Sequence, residues 1–368
     1  MTYKEMVFFC TSILALKANS SFKSEVKTTI LNGVDWDKFV VFSTNHYVLP
    51  ALYICLRDVG FLKLLPTDLV AFMKYLTLLN SERNKRLISE VYEINTLLIS
   101  NNITPIFLKG AAHLCIDLYS NIGLRMIGDI DLLVAPIDLL RAAKVLEKQG
   151  YQSVEEFVPH QFENMKHYPR LSHKDKLVAV EIHKSVVKKK RDRQLDYQKI
   201  DKTKQKINGV FVPSYENLVL HNTINAQMND LQYLTAKINL RQQYDLFLLS
   251  KFVDVQKCFE AFSFHQNKLN AYLVKTAFIF QNDSTLYHTK NYRASFSTKR
   301  ISAQLNHPKI FKYINAFVFV GVQLNMYLCL VWAHLANRKD RRFVLNKILS
   351  NKWWKGFLER KYKGMKSN

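Results

Sequence analysis

Two periodicities organise apolar and polar positions along this chain, and the change between them falls near residue 100. Before it the spacing is helical: Asp37 to Ser43, Ala51 to Leu62, and a long run from Thr67 to Ser100. In that run Leu87, Val91, Ile94, Leu97 and Leu98 recur at helical spacing, while Arg83, Lys85, Arg86 and Glu90 fall largely on other faces. Such a stripe needs a packing partner, so the segment reads as scaffold or as the wall of a site. After Asn101-Asn102 the runs shorten. Ile103 to Leu108, with Pro105, reads as an edge or first strand. Ala111 to Tyr119 is helical, Asp129 to Val134 forms a second strand, and Pro136 and Asp138 open a helix that stops at Gly150. Leu177 to His183 alternates as a third strand. Residues 151 to 176, rich in histidine and aromatics, read as a hairpin or a flap. Pro213-Ser214 starts a further helical region with Ser214 as N-cap, interrupted by a polar stretch from Gln281 to His307. The pattern predicts an α+β protein. A helical region spans residues 1–100, a small α/β core 101–212, and a second helical region 213–368.

The second and third strands carry the chemistry. Residues two apart in a strand share a face, so Asp129 and Asp131 project together while Ile130 and Leu132 face the other way. Adjacent carboxylates on an apolar strand repel unless a cation or donors compensate them, which points to a divalent ion or to a salt-bridged structural pair. Glu181 lies on one face of the third strand with Leu177, Ala179 and His183, and it completes a triad if that strand neighbours the first pair. Lys109-Gly110-Ala111-Ala112 sits between a strand and a helix, where a tight turn and free N–H groups can receive phosphate oxygens. The G-x-x-x-x-G-K-[ST] pattern is absent. Arg125 reads as a phosphate ligand or as an ion pair orienting a carboxylate. His183, His221 and Asp245 read as groups lining the site from behind or as ordinary packing polarity. His160, His167 and His173 lack compact metal-ligand spacing.

Composition adds a direction. The chain has 368 residues and 53 Lys plus Arg against 30 Asp plus Glu, a formal charge of +23. That favours phosphate-bearing partners, nucleic acid or an anionic membrane surface, or serves as a solubilising coat. Two segments concentrate the charge, Lys184 to Lys206 and, with interleaved tryptophans, Lys352 to Lys366. The five cysteines are scattered without C-x-x-C spacing, which reads as buried thiols in a reducing, cytoplasmic setting rather than a disulfide framework, while the basic aromatic stretch Lys352 to Lys366 allows a peripheral membrane contact. The apolar stretch Met6 to Leu16 lacks the cleavage pattern of a signal peptide. Ile314 to Leu335 contains no Asp, Glu, Lys or Arg, yet Asn315, Gln323, Asn325 and His334 interrupt it, so it reads as a buried helix rather than a membrane span.

Leu108-Lys109-Gly110-Ala111-Ala112, Leu118-Tyr119, Gly123-Leu124-Arg125 and Gly128 to Val134 together resemble the uncharacterised nucleotidyltransferase family of the DNA polymerase β-like superfamily. The likeness continues through Val180-Glu181-Ile182-His183, Leu220-His221 and Tyr244-Asp245, and upstream through Asp35-Trp36 and Arg83-Asn84, covering roughly residues 30 to 250. The resemblance implies a mixed-sheet core in which Gly110 marks the phosphate-side turn. Asp129 and Asp131 are the implied metal pair and Glu181 the third carboxylate. Gly110-Ala111 departs from the superfamily's usual Gly-Gly or Gly-Ser, and Glu181 stands where Asp is commoner. The implied reaction moves a nucleoside monophosphate from an NTP to an unidentified hydroxyl or phosphate acceptor, with one or two Mg²⁺ ions. Lys109, Gly110, Ala111 and Arg125 would hold the triphosphate. A terminal transferase acting on a polyanionic nucleic acid and a catalytically weak nucleotide-binding regulator are the other classes.

Overall fold

The computed structural model describes residues 1–153, 166–187, 195–260, 262, 265–282 and 284–336. His160, part of the basic segment after Lys184, and Lys352 to Lys366 lie outside them. The chain forms two compact units, Met1–Asn306 and His307–Asn368.

Five helices open the first unit: α1 (Tyr3–Leu14), α2 (Ser21–Leu31), α3 (Trp36–Asn45), α4 (Leu49–Asp58) and α5 (Thr67–Ser100). A capping box, Thr2 with Glu5, starts α1, which buries Met6, Phe9, Cys10 and Ile13. Burial along α5 follows one stripe: Leu69, Met73, Thr77, Asn80, Asn84, Leu87, Val91, Ile94 and Leu98. Its middle is polar, and that departure has a purpose described below.

The sheet contains β1 (Ile106–Leu108), β2 (Asp129–Leu133), β3 (Gln152–Ser153), β4 (Leu171–Ser172), β5 (Ala179–His183), β6 (Gln205–Ile207) and β7 (Val210–Val212). Their order is β3-β4-β5-β2-β1-β7-β6. β2 runs parallel to β5 and antiparallel to β1, so the sheet is mixed and β2 lies inside it. β1 is shorter than the apolar run that predicts it, because Pro105 has no N–H to give a ladder. Of residues 151–176, the described Gln152–Ser153 and Leu171–Ser172 pair as antiparallel strands. Helices α6 (Lys109–Cys115), α7 (Leu139–Lys148) and α8 (Tyr197–Thr203) belong to this core. Gly150, at φ 90°, ends the turn after α7 in the left-handed conformation that favours glycine.

The remaining helices of this unit are α9 (Tyr215–Ile224), α10 (Gln232–Thr235), α11 (Leu240–Leu249), α12 (Val255–Glu260), α13 (Gln266–Phe280) and α14 (Tyr292–Asn306). Ser214 caps α9 by accepting from the Asn217 N–H. A π-helical turn, Asn225–Asn229, follows α9 directly. α14 occupies the polar stretch that the sequence marks as an interruption. Ala294, Ile301 and Leu305 give it a narrow buried stripe, enough to dock a helix that is polar elsewhere.

In the second unit, α15 (Pro308–Ala336) holds the uncharged run. The sequence predicts a buried helix here, but Phe317 is 81% and Trp332 74% exposed, and Cys329 is likewise exposed. Lack of charge in this run therefore does not mean burial. Among the described residues no single helix is long and apolar enough to cross a membrane; α3 and α4 reach that length only together, with a 119° bend between them.

Candidate active site

The register of the central strands sets the geometry. β2 and β5 pair Asp129 with Ala179, Asp131 with Glu181 and Leu133 with His183. Alternation then places Asp129, Asp131, Glu181 and His183 on one face. One ligand atom each from Asp131, Glu181 and His183 lies within 4.8 Å of the other two. Asp129 is outside that group: its Oδ2 accepts from Arg170 Nη2 at 2.9 Å, and Arg170 Nε lies 3.6 Å from Glu181 Oε1.

Asp131 is 1% exposed, and burial by itself pushes its carboxyl toward the neutral form. Two neighbouring groups outweigh burial. Lys109 Nζ at 2.5 Å and His183 Nε2 at 2.8 Å both reach Oδ1 and hold the carboxyl far below the ordinary range. Glu181 is also lowered, first by its His183 contact. Asp129 is raised, by burial and by the neighbouring Asp131 charge. The two aspartates thus titrate apart although they share one strand face.

Lys109 reaches Asp131 from a strained backbone. Its φ is 49°, a left-handed conformation that costs a non-glycine residue about 1 kcal/mol, and the ion pair holds it there. Gly110 follows, and its missing side chain is required by Arg125. A Cβ at Gly110 would meet Arg125 Nη1 at 2.6 Å and two Ile127 carbons at 3.0 Å. Helix propensity alone would make Gly110→Ala stabilising by about 1 kcal/mol. The contact wins instead, because the guanidinium is pinned, so we expect Gly110→Ala to destabilise by about 1–3 kcal/mol in urea unfolding.

Asp245 does the pinning. It accepts from Arg125 Nη2 at 2.8 Å and Nε at 3.1 Å, and from Tyr119 OH at 2.7 Å. Arg125 Nη1 is left facing the cleft side of Gly110. Of the two readings of Arg125, the ion pair is present, but its partner is Asp245 rather than a strand carboxylate. The same arm can still offer one free donor pair. Tyr119 spends its proton on Asp245, so His113 Nδ1, 3.0 Å from that oxygen, must be the donor.

Burial pushes His113 down to about 4, with Asp245 opposing and Arg125 assisting. A histidine kept neutral in the folded chain binds fewer protons than in the unfolded chain between pH 4 and about 6.5. Stability should therefore fall as pH drops through that window, by up to about 1.4 kcal/mol per pH unit from this group. His113→Gln should flatten the dependence of the urea midpoint on pH between 7 and 5, whereas an unchanged slope would remove His113 from the acid response.

The loop that carries Arg125 is held by α5. Asn80 Nδ2 donates to the Gly123 and Arg125 carbonyls, and Asn84 Nδ2 to those of Ile122 and Arg125. Arg83 donates to the Ile127 carbonyl. This is why the α5 stripe turns polar at its middle: the helix face meets a loop whose carbonyls need donors.

A cleft of about 380 Å³ opens beside these groups. Lys109, Gly110, Arg125 and Asp129 form one side, and His221, Asn222, Asn225, Asn239, Arg241, Gln242 and Asp245 from the C-terminal helices form the other. Ala111, predicted alongside Gly110, is instead buried in the core at 1% exposure and does not line the cleft. His221 does, buried and pushed well below its usual pKa by desolvation and by Lys109. No residue pattern pointed to Arg170, distant from the aspartates along the chain, or to Arg241. Arg241 Nη1 donates to the Met126 carbonyl at 3.0 Å, its guanidinium covers the Tyr47 ring at 4.9 Å, and its buried Nε has no partner among the described residues. Position on a helix N-terminal turn is a weak signal, and no spacing rule links these arginines to the carboxylates.

The donor set fits a divalent cation. Two carboxylates converge with an imidazole, and the buried His183 Nδ1 has no hydrogen-bond partner among the described residues. No protein of curated function matches the chain. A family description does: residues 32–271, more than half of the chain, match "Uncharacterised nucleotidyltransferase". That span contains the whole sheet, the carboxylates and the cleft-lining helices α9 and α11, and the chain belongs to this uncharacterised nucleotidyltransferase family of the polymerase β-like superfamily.

Proposed function

We propose that this protein transfers a nucleoside monophosphate from an NTP to a hydroxyl or phosphate acceptor with the help of Mg²⁺. The observation that carries the reading is the convergence of Asp131 and Glu181 from paired parallel strands, beside a cleft lined by the buried Arg125 and by Arg241. Asp131 and Glu181, with Asp129 at the open end of β2, would hold the metal. When bound, Mg²⁺ neutralises phosphate charge and lowers the pKa of the attacking hydroxyl.

The chain's own groups have distinct tasks. Lys109 keeps Asp131 ionised before substrate arrives and can turn to the triphosphate afterwards, since its side chain is 26% exposed. Arg125, fixed by Asp245, presents a guanidinium edge that needs no reorganisation to meet the charge on a departing pyrophosphate. His183 orients Asp131 through Nε2. Glu181, lowered and half-buried, serves as the base for the acceptor proton or as a metal ligand. The amides of Asn222, Asn225, Asn239 and Gln242 face the same cleft and offer hydrogen bonds to a base or sugar. The basic charge of the chain supports a polyanionic acceptor.

The test is a reaction of the protein with each α-labelled NTP, Mg²⁺ and candidate acceptors, scored by pyrophosphate release and label transfer. Transfer that disappears in Asp129→Asn/Asp131→Asn supports the reading. Turnover unchanged in that double variant, or triphosphate binding indifferent to Mg²⁺, would refute it.

A further inference from the structure

A second cavity of about 380 Å³ lies in the C-terminal helices of the first unit, formed by α10, α13, α14 and the π-helical turn. No acidic residue among the described ones lines it. Three basic ones do: Lys275, Arg293 and Arg300.

Lys275 is the anchor. It is 3% exposed, an unusual depth for an ammonium group, and among the described residues its Nζ donates to neutral oxygens, Gln232 Oε1 at 2.9 Å and the Lys237 carbonyl at 2.7 Å. Arg300 reaches across to the carbonyls of Tyr233 and Leu234. Arg293 is exposed at the rim and has no ion pair among the described residues. A structural lysine at such depth ordinarily has a carboxylate partner. Beside it, the Oε1 of Gln227, a residue 3% exposed, has no hydrogen-bond partner among the described residues, although its amide nitrogen is engaged by the Lys268 carbonyl. Two unmet demands meet in one cavity: basic groups lacking an anion, and a buried acceptor lacking a donor. Tyr233 and the 57% exposed Phe296 supply apolar surface at its edge.

We propose that this cavity binds a phosphate-bearing small molecule. The phosphate sits among Lys275, Arg293 and Arg300, a hydroxyl of the ligand donates to Gln227, and its apolar part lies against Phe296. A dianion suits this site better than a single carboxylate, because three basic groups face it and none is neutralised by an acid. The lysine is also primed for such a ligand: burial and the nearby Arg300 push it down to about 7, so an arriving phosphate dianion would draw a proton onto it from the solvent. The site is separate from the strand carboxylates. It shares a wall with the first cleft, where Gln232 donates to Gln242 Oε1 at 2.6 Å and Gln242 donates to Asp230 at 2.7 Å.

Phenyl phosphate is a suitable probe, titrated calorimetrically into the full chain at pH 8 in Tris and in Hepes. Expected are saturable binding with proton uptake, at least about tenfold weaker binding without uptake in Lys275→Met, and weaker binding in the surface variant Arg293→Gln. The double variant Arg125→Met/Asp245→Leu, which empties the first cleft of its fixed arginine, should bind as the wild type does. Absence of saturable binding to the wild type would overturn the proposal. So would wild-type affinity in both Lys275→Met and Arg293→Gln, or binding lost only in the first-cleft variant. If Lys275→Met does not fold, Arg293→Gln decides the matter by the same criterion.

Discussion

Replacing Asp131 with Asn should remove Mg²⁺-dependent triphosphate binding and lower turnover by about 10³-fold, a factor equivalent to about 4 kcal/mol. The side chain is buried, and its charge is balanced by Lys109 and His183 rather than by solvent. An amide in its place keeps the volume but leaves the lysine without its carboxylate and puts a second donor against His183. The metal would lose a ligand at the same time. Stability should change too, and in a way that identifies the mechanism. The folded-state pKa of Asp131 is depressed, so its contribution is fully present above the unfolded value near 4 and is lost as pH falls through the lower folded value. Asp131→Asn should therefore be destabilising at pH 7 and progressively less so in strong acid. Equilibrium binding of a non-hydrolysable triphosphate with and without Mg²⁺, beside urea unfolding at pH 7 and pH 3, measures both effects. Binding that survives at wild-type strength with its Mg²⁺ dependence intact would remove Asp131 from the metal set.

The second large effect is expected at Asp245. Asp245→Asn should cost about 3–5 kcal/mol of stability, because it strands the buried Arg125 guanidinium. Burial raises the carboxyl's pKa, but Arg125, His113 and Tyr119 together hold it below the ordinary range, so the pair is charged at neutral pH. The cost is that of an unpaired charge rather than the net worth of the pair. Replacing both partners by apolar residues, Arg125→Met/Asp245→Leu, should recover most of the stability lost by Asp245→Asn. That same variant should bind triphosphate poorly, since the donor offered beside Gly110 has gone. Urea unfolding of the three proteins separates the two roles. If the double variant unfolds as easily as Asp245→Asn, the network matters for more than charge balance; if it binds triphosphate normally, Arg125 is a structural residue.

Much of the site was legible in the residues alone. Strand alternation puts Asp129 and Asp131 on one face, and the apolar setting of Glu181 marks a second strand. Gly110 was readable as a turn, though its deeper reason is the guanidinium that would strike a Cβ there. His183 and Asp245 appeared only as groups behind the site. In the fold, His183 is the residue that orders Asp131, and Asp245 is the one that aims Arg125. Arg170 had no signal: its contact with Asp129 depends on how β4 pairs with β5, which no local pattern encodes.

By itself, then, the sequence determined the period of each segment, the helical flanks, the strands and helices of a small core and the carboxylates on their strand faces, because these depend on neighbours two to four positions away. Tertiary structure alone decided that β5 lies beside β2 in the register joining Asp131 to Glu181, and that His183 rather than Asp129 completes their close group. It also turned α5 into the donor of the loop that carries Arg125, and left a basic cavity among α10, α13 and α14. Those outcomes join residues far apart along the chain. Their energies come from burial and pairing of charge, which exist only once the chain has closed around them.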